Sequence, residues 1–151
     1  NTFAYVAGMA IERIEVLPKT GMIPVDGLAH AGPTDLLVAM TFHPYRNDVI
    51  DAIQLAHAKG VPVIAISDSL ASPIMPGALQ QFVVPVGNSS FFLSTVALTA
   101  LFEMLVAFVV AETGTTAVEA ISEFHLRRYE LDVYHDAPSE VAVRVTSPEV
   151  G

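Results

Sequence analysis

The chain has no cysteine and no tryptophan in 151 residues, and only 7 Lys and Arg stand against 16 Asp and Glu. Without cysteine there is no disulfide framework, no thiolate metal site and no cysteine nucleophile, a composition that suits a reducing cytoplasm, the expected location. The net charge of -9 has the wrong sign for counterion-release binding to nucleic acid, and no basic stripe gathers the few cations. There is no Walker loop, Gly-rich dinucleotide fingerprint or HExxH, and His30, His43, His57, His125 and His135 show no ligand spacing. Neither a metal nor another cofactor is therefore expected. The first residues lack the layout of a secretory signal.

What is abundant is apolar: 52% of the residues, enough to demand a large buried core in one compact domain. The longest run, Phe91 to Ala111, carries Glu103 as its only charge. Its length would cross a bilayer, but a mid-run carboxylate and the lack of nearby basic flanks speak against a span. The run is expected instead as a helix covered by the domain core and a second subunit.

Short apolar runs alternate with helical segments. Asp35–Thr41, Pro62–Ser67 and Phe82–Val86 read as continuous apolar strands of a parallel sheet covered on both faces. Between the first two, Asn47 can cap a helix from Asp48 to Lys59, with Val49, Ile53 and Ala56 inward and Gly60 as its stop. This makes a right-handed βαβ unit. Upstream lie a short helix over Thr2–Met9, a weak strand over Arg13–Leu17 and a turn near Val25–His30. Downstream, a helix over Ser90–Glu112 is followed after Gly114 by another, opened by a Thr116/Glu119 capping box and buried through Val118, Ile121 and Phe124. Glu140–Thr146 alternates valines with polar residues and reads as a tail or an added edge strand.

In an open parallel sheet, ligands bind outside the carboxyl ends of the strands, which selects three loops. In the first, Thr41 to Asp48, the helix start and Arg46 can hold a phosphate or carboxylate, or Asn47 merely caps and Arg46 and His43 are solvated. The second, Ser67 to Pro73, packs hydroxyls and a carboxylate around a turn, for a ligand or for turn chemistry alone. In the third, Gly87 to Phe92, Ser89 or Ser90 caps a helix and can also meet a ligand. Glu119 and Glu123, one turn apart, form either an acid/base pair or a solvated helix face.

At these loops the chain resembles the SIS (sugar isomerase) domain in the form found at the C-terminal end of RpiR/MurR-type bacterial transcriptional regulators. The resemblance covers roughly Phe3 to Tyr134. It rests on the strand Asp35-Leu36-Leu37-Val38-Ala39-Met40-Thr41, the helix Val49 to Lys59, Gly60-Val61-Pro62-Val63-Ile64-Ala65-Ile66-Ser67-Asp68-Ser69, Ser72-Pro73, and Val84-Pro85-Val86 leading to Ser89-Ser90-Phe91-Phe92. It implies a flavodoxin-like, doubly wound α/β fold over residues 1–134, residues 135–151 forming the tail or extra strand. It also implies dimerisation through helices and binding of phosphosugars, sugar acids or amino sugars.

Two departures stand out. The strand and Gly/Ser-rich loop that open such domains have no counterpart here and are expected upstream in a parent protein; a sheet lacking that strand would have an exposed edge. The hydroxyl-rich phosphate loop Ser-x-Ser-Gly-x-Thr falls on Thr41, His43, Pro44 and Arg46, where only Thr41 keeps a hydroxyl. An Arg fork still suits an acidic ligand.

The expectation is a ligand-sensing domain of a sugar-metabolism regulator, a homodimer or homotetramer, not an enzyme and not membrane-bound. Its effector, an acidic sugar or sugar phosphate, is expected on Thr41, His43, Tyr45, Arg46, Ser67, Ser69, Ser72, Ser89 and Ser90, and Arg46→Ala is expected to weaken binding. The resemblance implies DNA contact only through an N-terminal helix-turn-helix domain outside this chain. The alternatives are a sugar-phosphate isomerase and a dimerisation module with a pocket narrowed by Tyr45 and Phe42.

Overall fold

Val, Ile, Leu, Ala and Met run together over 37–40 and 63–66 in stretches too short for helices, so their backbones pair and their side chains pack against the helix on the sheet. The computed structural model describes residues 2–11, 13–87, 94–131 and 133. In chain order the elements are α1 (Thr2–Ala10), α2 (Pro24–Gly27), β1 (Leu37–Met40), α3 (Asn47–Ala58), β2 (Val63–Ser67), β3 (Gln80–Val83), α4 (Val96–Thr113) and α5 (Thr115–Glu130). The strands form one parallel sheet in the order β1-β2-β3, with Leu37 opposite Val63 and Ser67 opposite Val83. This is a flavodoxin-like parallel α/β arrangement.

The chain divides into two units, one over Val16–Ala100, the other combining Asn1–Glu15 with Leu101–Gly151. In the first unit, central β2 has Ala65, Ile66 and Ser67 fully buried. The core joins Ala39, Val63 and Ala65 of the sheet to Ala52, Ile53 and Ala56 of α3, closed by Leu28, Val61, Ile74 and Met75. Ala56 permits close approach of α3, and Gly60 at φ +70 turns the chain from that helix towards β2. Lys59 Nζ donates to the carbonyls of Leu28 (2.8 Å) and Ala29 (2.5 Å), satisfying the end of α2. Among the described residues β1 pairs only with β2, leaving an open edge with Leu36 and Met40 exposed. In the second unit α1 packs on α5, where the Arg128 guanidinium stacks on Phe124 (4.5 Å) and Tyr5 (5.1 Å) and donates to the Tyr5 hydroxyl (2.7 Å).

Several local expectations need correction. Residues 13–17 form no strand among those described. The third strand starts at Gln80 rather than Phe82, because an edge strand with a wet face needs no continuous apolar run. Asn47 lies inside α3, and Arg46 is the N-cap, with no side-chain cap bond. Thr116 likewise lies within α5, whose N-cap is Gly114, so no capping box opens that helix. Only Ala117 of α5 is buried, while Val118 is 40% exposed. The described part of the long apolar segment becomes helical at Val96, and no residue of α4 is buried. α4 is long and apolar enough to cross a membrane by length and composition. Residues 88–93 and Glu140–Thr146, with Ser89, Ser90 and the tail strand, lie outside the described residues.

Candidate functional site

Parallel strands deliver the loops after β1 and β2 to the same end of the sheet, where one buried bond ties them together. Ser67 Oγ donates to the Thr41 carbonyl at 2.6 Å, with Ser67 wholly buried and Thr41 4% exposed. Thr41 Oγ1 accepts the Arg46 amide (3.1 Å), folding the first loop back over its own strand. Both hydroxyls therefore shape the loops.

Asp68 is the clasp between them. Its Oδ2 accepts the His43 amide at 3.3 Å, and Oδ1 lies 3.2 Å from Ser67 Oγ. Partial burial by itself would raise the Asp68 pKa. Hydrogen bonding led by the His43 amide more than offsets this, leaving the carboxyl below its usual range. Tyr45 is shifted the other way: loss of water, the Asp68 charge and the bond to Asp68 push its phenol up. The Tyr45 ring also meets His43 edge-on, centroids 5.7 Å apart. Ser72 Oγ, in a residue 1% exposed, stands beside the Tyr45 hydroxyl without a hydrogen bond of ordinary geometry.

Arg46 reaches Asp48 in a two-pronged pair, Nε to Oδ1 at 2.9 Å and Nη2 to Oδ2 at 2.5 Å. The Asp48 carboxyl is held down by that guanidinium and by the amides of Val49 and Asp48 at the start of α3. The guanidinium expected to receive an acidic ligand thus has a carboxylate on its fork.

Among the sequence-derived residues, Thr41, His43, Tyr45, Arg46, Ser67 and Ser72 come together at this end of the sheet. Ser69 Oγ accepts the Ala71 amide (3.1 Å) and shapes the second turn. Glu123 pairs with Arg127 at 2.8 Å on an exposed face. Glu119 lines a shallow, mostly apolar concavity with Val110, Ala111, Gly114, Thr115 and Val118. The two carboxylates that organise the loops, Asp48 and Asp68, were not among the expected ligand residues. Their signals were modest: an acidic residue in a helix's first turn two positions after an Arg, and one immediately after a buried strand.

The SIS domain family model matches residues 10–111, and the chain belongs to that family. No curated protein matches. Among solved structures, the sugar isomerase domain of an RpiR transcription factor from Sphaerobacter thermophilus is similar, with a TM-score of 0.71 and 27% identity over 82% of this chain and 72% of that one. The Vibrio vulnificus NanR protein, solved with ManNAc-6P, has a TM-score of 0.70 at 17% identity, over 88% of this chain and 51% of NanR. This chain thus spans about half of NanR, and at that identity the likeness is one of fold.

Proposed function

We propose that this chain is the effector-sensing and dimerisation domain of a bacterial transcription regulator of sugar metabolism, not an enzyme, and that its effector is a sugar metabolite of the phosphosugar or acidic-sugar class. The observation that carries this reading is the convergence of the β1 and β2 loops at one sheet end, with Asp68 joining them. Membership of the SIS family and the likeness to an RpiR regulator domain support the regulatory class. Effector binding would favour one arrangement of the dimer and so change the spacing of DNA-binding domains outside this chain. Thr41, Ser67 and Ser69 would hold the loops in shape, with His43, Tyr45 and Ser72 nearest the effector. Arg46 would join them only by releasing Asp48. The exposed apolar surface of α4, including Met104 and Phe108, would supply a self-association surface.

A thermal-shift screen against sugar phosphates, sugar acids and amino-sugar phosphates tests the reading. A specific ligand at 100 times its Kd adds about 2.7 kcal/mol of stability. A stabilising sugar that also changes operator affinity of the full regulator supports it. Silence across the panel favours a dimerisation-only module, and turnover of an aldose or ketose phosphate overturns the non-enzymatic assignment.

A further inference from the structure

We propose that Asp48 and Asp68 are specificity-determining residues that close the cradle of the β1 and β2 loops to phosphate and reserve it for an uncharged part of the sugar. The inference rests on those loops being the effector site and specifies which end of the effector they receive.

A phosphate seat needs unclaimed donors: backbone amides, hydroxyls and a guanidinium converging on one point. Here the converging donors are already taken from within the chain. The guanidinium of Arg46 serves the Asp48 carboxylate, which stands in the first turn of α3. The amide of His43 serves the Asp68 carboxylate. The Arg46 amide serves Thr41 Oγ1, and the Ser67 hydroxyl serves the Thr41 carbonyl. The chain thus places its own anion at the N-terminus of α3, the position whose dipole would otherwise attract one.

Charge points the same way. Asp48 and Asp68 against Arg46 leave the two loops with an excess of one negative charge, and a phosphate entering would both displace and face carboxylates. Ser72 supplies the independent sign that the seat is meant for a ligand. Its buried, unpaired hydroxyl beside Tyr45 retains both a donor and acceptors, which match a sugar hydroxyl.

The test compares inorganic phosphate binding by the full chain, D48N and the D48N/D68N pair, using calorimetry and thermal shift with chloride controls at matched ionic strength. D48N keeps the size of a half-buried side chain while freeing Arg46 and the start of α3. The wild-type chain is expected to ignore phosphate, and D48N to bind it about tenfold or more tightly than wild type. D48N alone decides the matter should the double variant fold poorly. Phosphate binding by the wild-type chain overturns the proposal, and so does a folded D48N that remains silent. These outcomes are separate from the sugar screen: if no sugar binds, the effector-site reading fails whatever phosphate does to D48N.

Discussion

A buried hydroxyl can serve a ligand or the fold, and at Ser67 its geometry assigns it to the fold. Ser67→Ala leaves the Thr41 carbonyl without this partner in a dry place, so urea unfolding is expected to show a loss of about 1–3 kcal/mol. Asp68 acts through its charge. Its folded pKa lies below the ordinary carboxylate value it regains on unfolding, so its contribution is complete above the ordinary range and disappears as pH falls through the folded value. Urea midpoints of wild type and Asp68→Asn should therefore differ near neutrality and converge in acid; a gap that persists in acid would show that the clasp does not depend on charge. Tyr45 offers a spectroscopic check in a chain without tryptophan. Its phenol should ionise above the usual tyrosine range in ultraviolet titration, and return towards it in Asp68→Asn.

At the scale of elements, the βαβ unit shows where local patterning suffices. The 3.6-residue spacing of Ile53 and Ala56 and the stop at Gly60 place α3 to within a residue at each end. Gly60 has φ +70, and an added Cβ would meet Pro33 Cγ at an ordinary 3.6 Å, so the cost of Gly60→Ala is conformational. Chemical denaturation is expected to show a loss of about 1–2 kcal/mol. Ala56 is fully covered, and Ala56→Leu should cost about 1–3 kcal/mol or more by forcing α3 off the sheet. Caps were less legible. Asn47 and Thr116 are good capping residues by type, yet each falls one position or more inside its helix, since the preceding loop sets where the first helical turn begins.

For the whole molecule, α4 is a long apolar helix with no buried residue. Phe108 is 68% exposed and Met104 53%, an arrangement that costs solubility unless another surface meets it. Sedimentation equilibrium should show self-association of the full chain. Phe108→Asp should raise the dimer dissociation constant by about tenfold or more without lowering the urea midpoint of the sheet-bearing unit, because no residue of α4 is buried. An unchanged association constant would remove α4 from the interface.

Composition and periodicity alone determined the parallel α/β class, the βαβ unit and the two loops at the carboxyl ends of the strands, because each follows from residues near one another in the chain. The open edge of β1 was not legible from spacing, since the weak alternation over Arg13–Leu17 offered an upstream strand that residues 13–17 do not form. Which donors those loops keep for a ligand was decided only by tertiary structure. Asp68 meets the amide of His43, 25 positions away, and Arg46 turns to Asp48 at the start of α3; neither choice leaves a trace in hydrophobic spacing. The same holds for α4: its apolar character is written in its residues, but whether it is covered depends on what packs against it.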